Sequence, residues 1–344
     1  MFSYLGFLIF SFVINSLAIV PFINALYSLK MKRLIQTTTA PTGDKTPIFD
    51  SFHNWKVGTP VGGGLLTIVT VSGLFAILLT SLSRLGVHIS SAHEIGWEIG
   101  LIFFTFISFG VLGLYDDIKK VLVIKKDQFF GLRMIHKLVI QLILGLIVGW
   151  ILYGKLGIDI LHISSTNIVL HLGIFFVPIA AIVVVGFANA FNLTDGLDGL
   201  SSGLLIICLF VFWTISHSTF DTVLSLFISL WIGALIAFLY FNIYPARIWL
   251  GDVGALSFGA TLAVVALLLG KILVLFIIGG LFIVEAASSV IQLISKRFYG
   301  KKVFPAAPIH LTLQKHGWEE PKIVMRAWLA GLMLGILGLW MATL

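Results

Sequence analysis

Ten runs of about 20 mainly apolar residues succeed one another along the chain, and this repetition constrains the fold more than any other feature. They lie near 3–27, 61–83, 98–115, 135–154, 168–188, 200–217, 222–241, 255–270, 272–294 and 326–343. In hydrocarbon every backbone polar group needs a partner within the protein, so runs of this length predict membrane-spanning helices. Composition agrees. Of the 344 residues 59% are hydrophobic and 11% charged, and mean hydropathy is +1.08, whereas soluble domains carry about a quarter charged residues. The expectation is an all-α integral membrane protein, one polytopic domain over 1–344. No Lys or Arg precedes the first run, which therefore reads as a retained spanning helix and not a signal peptide. The single Cys208 excludes disulfides and thiol-rich metal sites.

The net charge of +7 does not call for nucleic acid, because the cations are sorted by loop. Loops 28–60, 115–137, 242–254 and 295–326 hold nineteen of the 22 Lys and Arg residues, and only Arg84, Lys155 and Lys271 fall on the other side. Cytoplasmic loops collect Lys and Arg, so these loops, together with 188–199, are assigned to the cytoplasm and both termini to the outside. A turn at Gly270–Lys271 is required to keep "SKRFYGKK" on the cytoplasmic side.

The acidic residues gather at that same side. "GVLGLYDDIKK" carries Asp116 and Asp117, "FANAFNLTDGLDGLSSG" carries Asp195 and Asp198 beside Asn189 and Asn192, and "WLGDVGALSFG" carries Asp252. The second stretch contains no Lys or Arg that would neutralise its carboxylates. Taken singly, each aspartate has an ordinary explanation: a solvated helix end for the pair, a helix cap for Asp195 and for Asp252. Taken together on one face, and at membrane depth where charge is costly, they point to a shared site. A carboxylate cluster of this kind suits Mg²⁺, which takes a few carboxylates together with water and substrate phosphate. Lys56, Lys119, Lys120 and Lys137 lie on the same side, where lysine acts as a point charge for phosphate, or equally as a positive-inside anchor. Gly62, Gly63 and Gly64 suit close backbone approach to a ligand, or equally tight helix packing. His310 and Trp318 lie in an amphipathic loop, where a lone His is more often a surface residue than a ligand. Glu285 and Gln292, seven residues apart in the ninth run, share a helical face that ought to point at other helices.

Five segments, "KVGTPVGGG", "YDDIKK", "NAFNLTDGLDGL", "WLGDVGALSFG" and "APIH…GWEEPKIVMRAW", then occur in an order and spacing that resemble the polyprenyl-phosphate N-acetylhexosamine-1-phosphate transferases, almost end to end. Within that superfamily the chain is most similar to the phospho-N-acetylmuramoyl-pentapeptide transferases. The resemblance implies Mg²⁺-dependent transfer of phospho-N-acetylmuramoyl-pentapeptide from its UDP-linked donor to undecaprenyl phosphate, giving lipid I and UMP, in a bacterial inner membrane with the catalytic face cytoplasmic. It implies that Asp116 and Asp117 form the aspartate pair, one of them deprotonating or orienting the lipid phosphate, and that Asp252 binds the metal. Lys56, Asn189, Asn192, Asp195, Asp198, Asn242, Gln292 and His310 are implied at the nucleotide-sugar site, with Trp249 where an aromatic stacks on uracil. Lys120 and Lys137 are implied near the lipid phosphate, and a homodimer follows by analogy alone. The acceptor phosphate would attack the β-phosphorus directly or through an aspartyl-phosphate.

One segment departs from the family. Three consecutive histidines are expected after "API", and this chain has His310–Leu311–Thr312. The nearest alternative is a sister transferase using UDP-GlcNAc or a related UDP-sugar for another envelope polymer. A transporter or channel would place ionisable residues at mid-membrane and interrupt its helices; here only Glu285 is a deep candidate. An inactive scaffold would be expected to have lost some of Asp116, Asp117 and Asp252, and all three are present.

Overall fold

The structure, a computed structural model, describes residues 2–32, 56–84, 89–122, 134–163 and 168–343. Parts of the predicted loops at 28–60 and 115–137 lie outside the described residues. The long helices are α1 (Phe2–Ser28), α2 (Gly63–Arg84), α3 (Ile95–Leu122), α4 (Met134–Gly154), α5 (Phe176–Thr194), α6 (Leu200–Ser218), α7 (Thr222–Asn242) and α8 (Gly251–Leu268). They are followed by α9 (Ile272–Ile278), α10 (Gly280–Tyr299), α11 (Ile309–Lys315) and α12 (Glu320–Thr343). Among the described residues nine helices are long and apolar enough to cross a membrane, and the bent pair α9–α10 makes a tenth. The all-α architecture expected from the apolar runs is therefore present.

α8 sits at the centre, with every residue from Asp252 to Leu268 buried. Its sequence explains the position. "GDVGALSFGATLAVVALL" is rich in Gly, Ala, Ser and Thr, which let neighbouring backbones come close. α3 and α5 pack along it. A Cβ on Gly113 of α3 would collide with the Asp252 carbonyl, and one on Gly64 of α2 would collide with the Gly254 backbone. Both crossings bring helix backbones together at the end of the bundle where the aspartates lie. Towards the middle, Phe106, Phe227, Trp231 and Phe258 join α3, α7 and α8 through ring pairs 5.3 to 5.7 Å apart.

The segment before α2 is laid against the segment before α8. Trp249 N–H donates to the Pro60 carbonyl (2.9 Å), Gly63 N–H to the Trp249 carbonyl (2.9 Å) and Gly64 N–H to the Leu250 carbonyl (2.9 Å). Two stretches almost two hundred residues apart thus form one small backbone platform. The described residues nearest the chain ends lie at the other end of the bundle, where Tyr4 meets His217 and the Lys271 ammonium donates to the Ala342 carbonyl at 3.1 Å.

Three boundaries differ from expectation. The fifth apolar run was expected to be helical from 168, but Ile168–His171 is a strand paired antiparallel with Ile160–Ile163, and α5 starts at Phe176. A short apolar run does not reveal its own period, so strand and helix look alike there. The third helix continues past 115 to Leu122, which puts Asp116, Asp117 and Lys120 on helix rather than in the loop beyond it. The ninth run is broken, its two halves meeting at 76° across Gly279. A Gly–Gly pair is a usual kink site, and the Phe187 ring occupies the space a Gly279 side chain would need. Interrupted helices were expected only of a transporter, so this break is a correction to that contrast.

Candidate active site

Asp116, Asp117 and Lys120 occupy the last turns of α3, Lys137 the first turn of α4, and Asp252 the first turn of α8. Spacing along α3 puts Asp116 and Lys120 one turn apart on one face. The Lys120 ammonium lies 3.0 Å from Asp116 Oδ2 and 2.9 Å from Asp252 Oδ2. The Lys137 ammonium lies 3.1 Å from the same Asp116 oxygen and also pairs with Asp252 Oδ2. Two lysines therefore bridge two carboxylates, joining three helices at a nearly buried point.

Asp117 points the other way. Its carboxylate accepts from the Asp252 N–H (3.1 Å) and the Val253 N–H (3.0 Å), so it caps α8 from a neighbouring helix. The cap once attributed to Asp252 itself is absent: no side chain of α8's own N-terminal residue bonds to the helix. A carboxylate at this position also meets the positive end of the helix dipole. Asp252 is thereby left with its side chain turned to the lysines.

A cavity of about 220 Å³ opens beside this cluster. Its walls include Asn192, Asp195, Asp198, Asn242, Trp249, Asp252 and His310, each of them expected at the site from the sequence. Asp195 does not cap α6, whose N-cap is Gly199 in the left-handed region (φ 78°). It accepts from the Ser201 hydroxyl at 2.5 Å. Burial pushes its carboxyl up from 3.8 to about 7; the Ser201 bond pulls it down, and Asp252, Asp117 and Asp198 push it up again.

Lys56 stands behind the wall. Its ammonium is 2.7 Å from Asp198 Oδ1 and 2.5 Å from Glu320 Oε1, with all three side chains buried. Glu320 Oε1 also accepts the Asp198 N–H (2.6 Å), and Asp198 Oδ2 accepts the Ala246 N–H (3.0 Å). Asn242 takes a bond from the Ser202 hydroxyl (2.8 Å) and donates to the Ile248 carbonyl (3.0 Å), which fixes the loop leading to Trp249. His310 Nδ1 is 3.0 Å from Glu285 Oε2. With that nitrogen protonated against the carboxylate, the buried Nε2, which makes no hydrogen bond among the described residues, presents a lone pair.

Two expected residues are placed elsewhere. Asn189 donates to Gln141 Oε1 on α4 (2.5 Å) and to the Val185 carbonyl (2.8 Å), and it does not line the cavity. Gln292 accepts from Val303 N–H and Phe304 N–H (3.0 and 2.9 Å) and donates to the Phe304 carbonyl (3.2 Å); it clamps a loop. Glu320 and Ser201 were not singled out, and Glu285 was noted without its partner. Glu320 stood in the quoted "GWEEPK", but its link to Lys56 spans 264 positions and leaves no local signal. The departure after His310 has a structural account. Leu311 is buried in the core, and the Thr312 hydroxyl donates to the Ala306 carbonyl to close its own loop.

Among the described residues no group of three or more His, Cys, Asp or Glu is arranged to hold a metal ion. The donors that face the cavity, the Asp252 and Asp195 carboxylates and the Asn192 amide, are nevertheless hard oxygens. Such a set fits Mg²⁺ arriving with phosphate ligands of its own, and not a closed protein cage.

Two stability effects follow. Lys56→Met strands two buried carboxylates and is expected to cost about 3–5 kcal/mol. Its unfolding midpoint in detergent should fall well below that of Lys56→Arg, and equal midpoints would contradict the pairing. For Asp195, the folded chain holds the proton more tightly than the unfolded chain. The stability this gives is fully present below about pH 4 and lost as pH rises through about 7. In metal-free buffer Asp195→Asn should flatten the fall in midpoint between about pH 4 and 7; an unchanged slope would contradict the burial.

A family model for glycosyl transferase family 4 matches residues 99–270. The chain is 36% identical over 290 residues to a phospho-N-acetylmuramoyl-pentapeptide-transferase of Oceanobacillus iheyensis, covering 84% of this chain and 85% of the relative. It is 34% identical over 338 residues to the protein of that name in Rickettsia akari (92% and 88%). The Clostridium botulinum Eklund 17B protein of the same name is 34% identical over 317 residues (92% and 90%). With this coverage on both sides, and with the bundle and cavity that the five segments build, the chain belongs to glycosyl transferase family 4, among the phospho-N-acetylmuramoyl-pentapeptide-transferases.

Proposed function

We propose that the protein transfers phospho-N-acetylmuramoyl-pentapeptide from its UDP-linked donor to undecaprenyl phosphate, forming lipid I and releasing UMP, at the cytoplasmic face of a bacterial inner membrane. The observation that carries this reading is the position of Asp252, held by Lys120 and Lys137 at one end of a cavity that has Trp249 and His310 in its walls. Trp249 offers a stacking surface for the uracil. Asp198 and Asn242 are fixed by Lys56, Glu320, Ser202 and Ile248, and they define the nucleoside end. Asp252 and the two lysines define the pyrophosphate end.

The transfer forms a bond between an acceptor phosphate oxygen and the β-phosphorus and breaks the bond from that phosphorus to the oxygen carried off by UMP. Lys120 and Lys137 already sit on carboxylates, and their ammonium groups can turn to phosphate oxygens of the donor as point charges. Asp117, bonded to two α8 N–H groups, positions Asp252. Asp116, facing the lysines, is the carboxylate placed to orient the acceptor phosphate. Mg²⁺ bound at Asp252 would supply charge neutralisation on the leaving pyrophosphate.

The test supplies detergent-purified protein with undecaprenyl phosphate, Mg²⁺ and either UDP-N-acetylmuramoyl-pentapeptide or UDP-GlcNAc, and measures UMP. Release from the muramoyl donor alone, reduced by at least about 10²-fold in Asp252→Ala, is the expected result. UMP from UDP-GlcNAc alone would make the protein the sister transferase, and none from either donor would overturn the enzymatic reading.

A further inference from the structure

We infer that a second cavity, bounded by Tyr244, Gln314, Trp318, Glu319, Glu320 and Pro321, is the subsite for the donor's peptide; this rests on the muramoyl-pentapeptide reading above. The first cavity, at about 220 Å³, is smaller than the roughly 300–1,000 Å³ that encloses a drug-sized ligand. A UDP-sugar bearing five amino acids is larger than that class, and its peptide alone reaches about 17 Å when extended. Most of such a donor must therefore lie beyond the first cavity.

The second cavity, about 530 Å³, adjoins the first through shared supports. Glu320 lines it and accepts both the Lys56 ammonium and the N–H of Asp198, which lines the first. On α11, His310 faces the first cavity and Gln314 the second, one turn apart on the same side of the helix. Asn242 and Tyr244 divide between the two in the same way.

The chemistry of the second cavity suits a peptide. Gln314 Oε1 is buried and accepts no hydrogen bond among the described residues, so it lacks a donor of the kind a peptide N–H provides. Tyr244, Trp318 and Pro321 give apolar surfaces for side chains. Lys322 and Arg326 lie 5.2 and 4.4 Å from the Trp318 ring and supply cations near a wall where peptide carboxylates could pair. An apolar tail would leave the buried Gln314 Oε1 without a donor.

The test is calorimetric binding of UDP-N-acetylmuramoyl-pentapeptide and of peptide-free UDP-N-acetylmuramic acid, without acceptor, to the wild type and to Gln314→Ala/Glu319→Gln. The wild type is expected to bind the pentapeptide donor about tenfold more tightly than the peptide-free one. The double variant should narrow that preference to within about twofold while its affinity for the peptide-free donor stays unchanged. Equal wild-type affinities would overturn the inference, as would a preference that survives in the variant. A variant that binds both donors equally worse would place these residues with the nucleotide cavity and overturn it too. Binding of UDP-GlcNAc with neither muramoyl donor bound would remove the donor reading itself, and the peptide subsite with it.

Discussion

Everything at the catalytic end depends on pairing charges that have been taken out of water. Asp116, Asp252, Lys120 and Lys137 come from three helices and meet within hydrogen-bonding distance. Removing one partner of a buried pair leaves an uncompensated charge, so each helix end is tied to the others. The small residues of α8 let the helices come close enough for this, with Gly113 lying directly against the Asp252 carbonyl. Asp117 then stabilises the start of α8 and aims Asp252 at the lysines. A cluster built around lysine–carboxylate pairs is also one that a polyanionic ligand can re-pair. In the proposed function the two lysines of these pairs are the groups that would receive phosphate.

The end of the cavity proposed for the nucleoside is built in a different way. Lys56, Asp198 and Glu320 form a buried network away from the reacting groups, which orients the backbone around Asp198 and Ala246. Glu285 performs the same service for His310 from α10, and the kink at Gly279 sets the direction from which that helix approaches. The polar walls of the cavity are thus tied to buried partners, and in the proposed function the lysine cluster is the part that exchanges partners.

Much of this could be read in the sequence, for identifiable reasons. The ten runs gave the bundle because lipid forces each span to satisfy its own backbone. Asp195, Asp198, Asn192 and Asp252 stood out because charge and amide groups are rare in such a chain, and they do share one cavity. What stayed hidden depended on side-chain direction or on long-range pairing. Asn189 is only three residues from Asn192, yet it turns towards Gln141. Gln292 shares a helix with Glu285 but clamps Val303 and Phe304. Asp117 and Asp116 are adjacent, and helical geometry sends one to the α8 backbone and the other to the lysines. The missing histidines were legible as a departure; that Leu311 packs in the core and Thr312 closes a loop was not.

The central claim is that Asp252 and its two lysines form the phosphate end of the site, and metal retention tests it most directly. Equilibrium dialysis with Mn²⁺ as the probe, under saturating UDP-N-acetylmuramoyl-pentapeptide and without acceptor, would compare wild type with Asp252→Ala. The account predicts stoichiometric Mn²⁺ held with the donor by the wild type, and donor held without Mn²⁺ by the variant. A variant that retains Mn²⁺ as well as the wild type would contradict it.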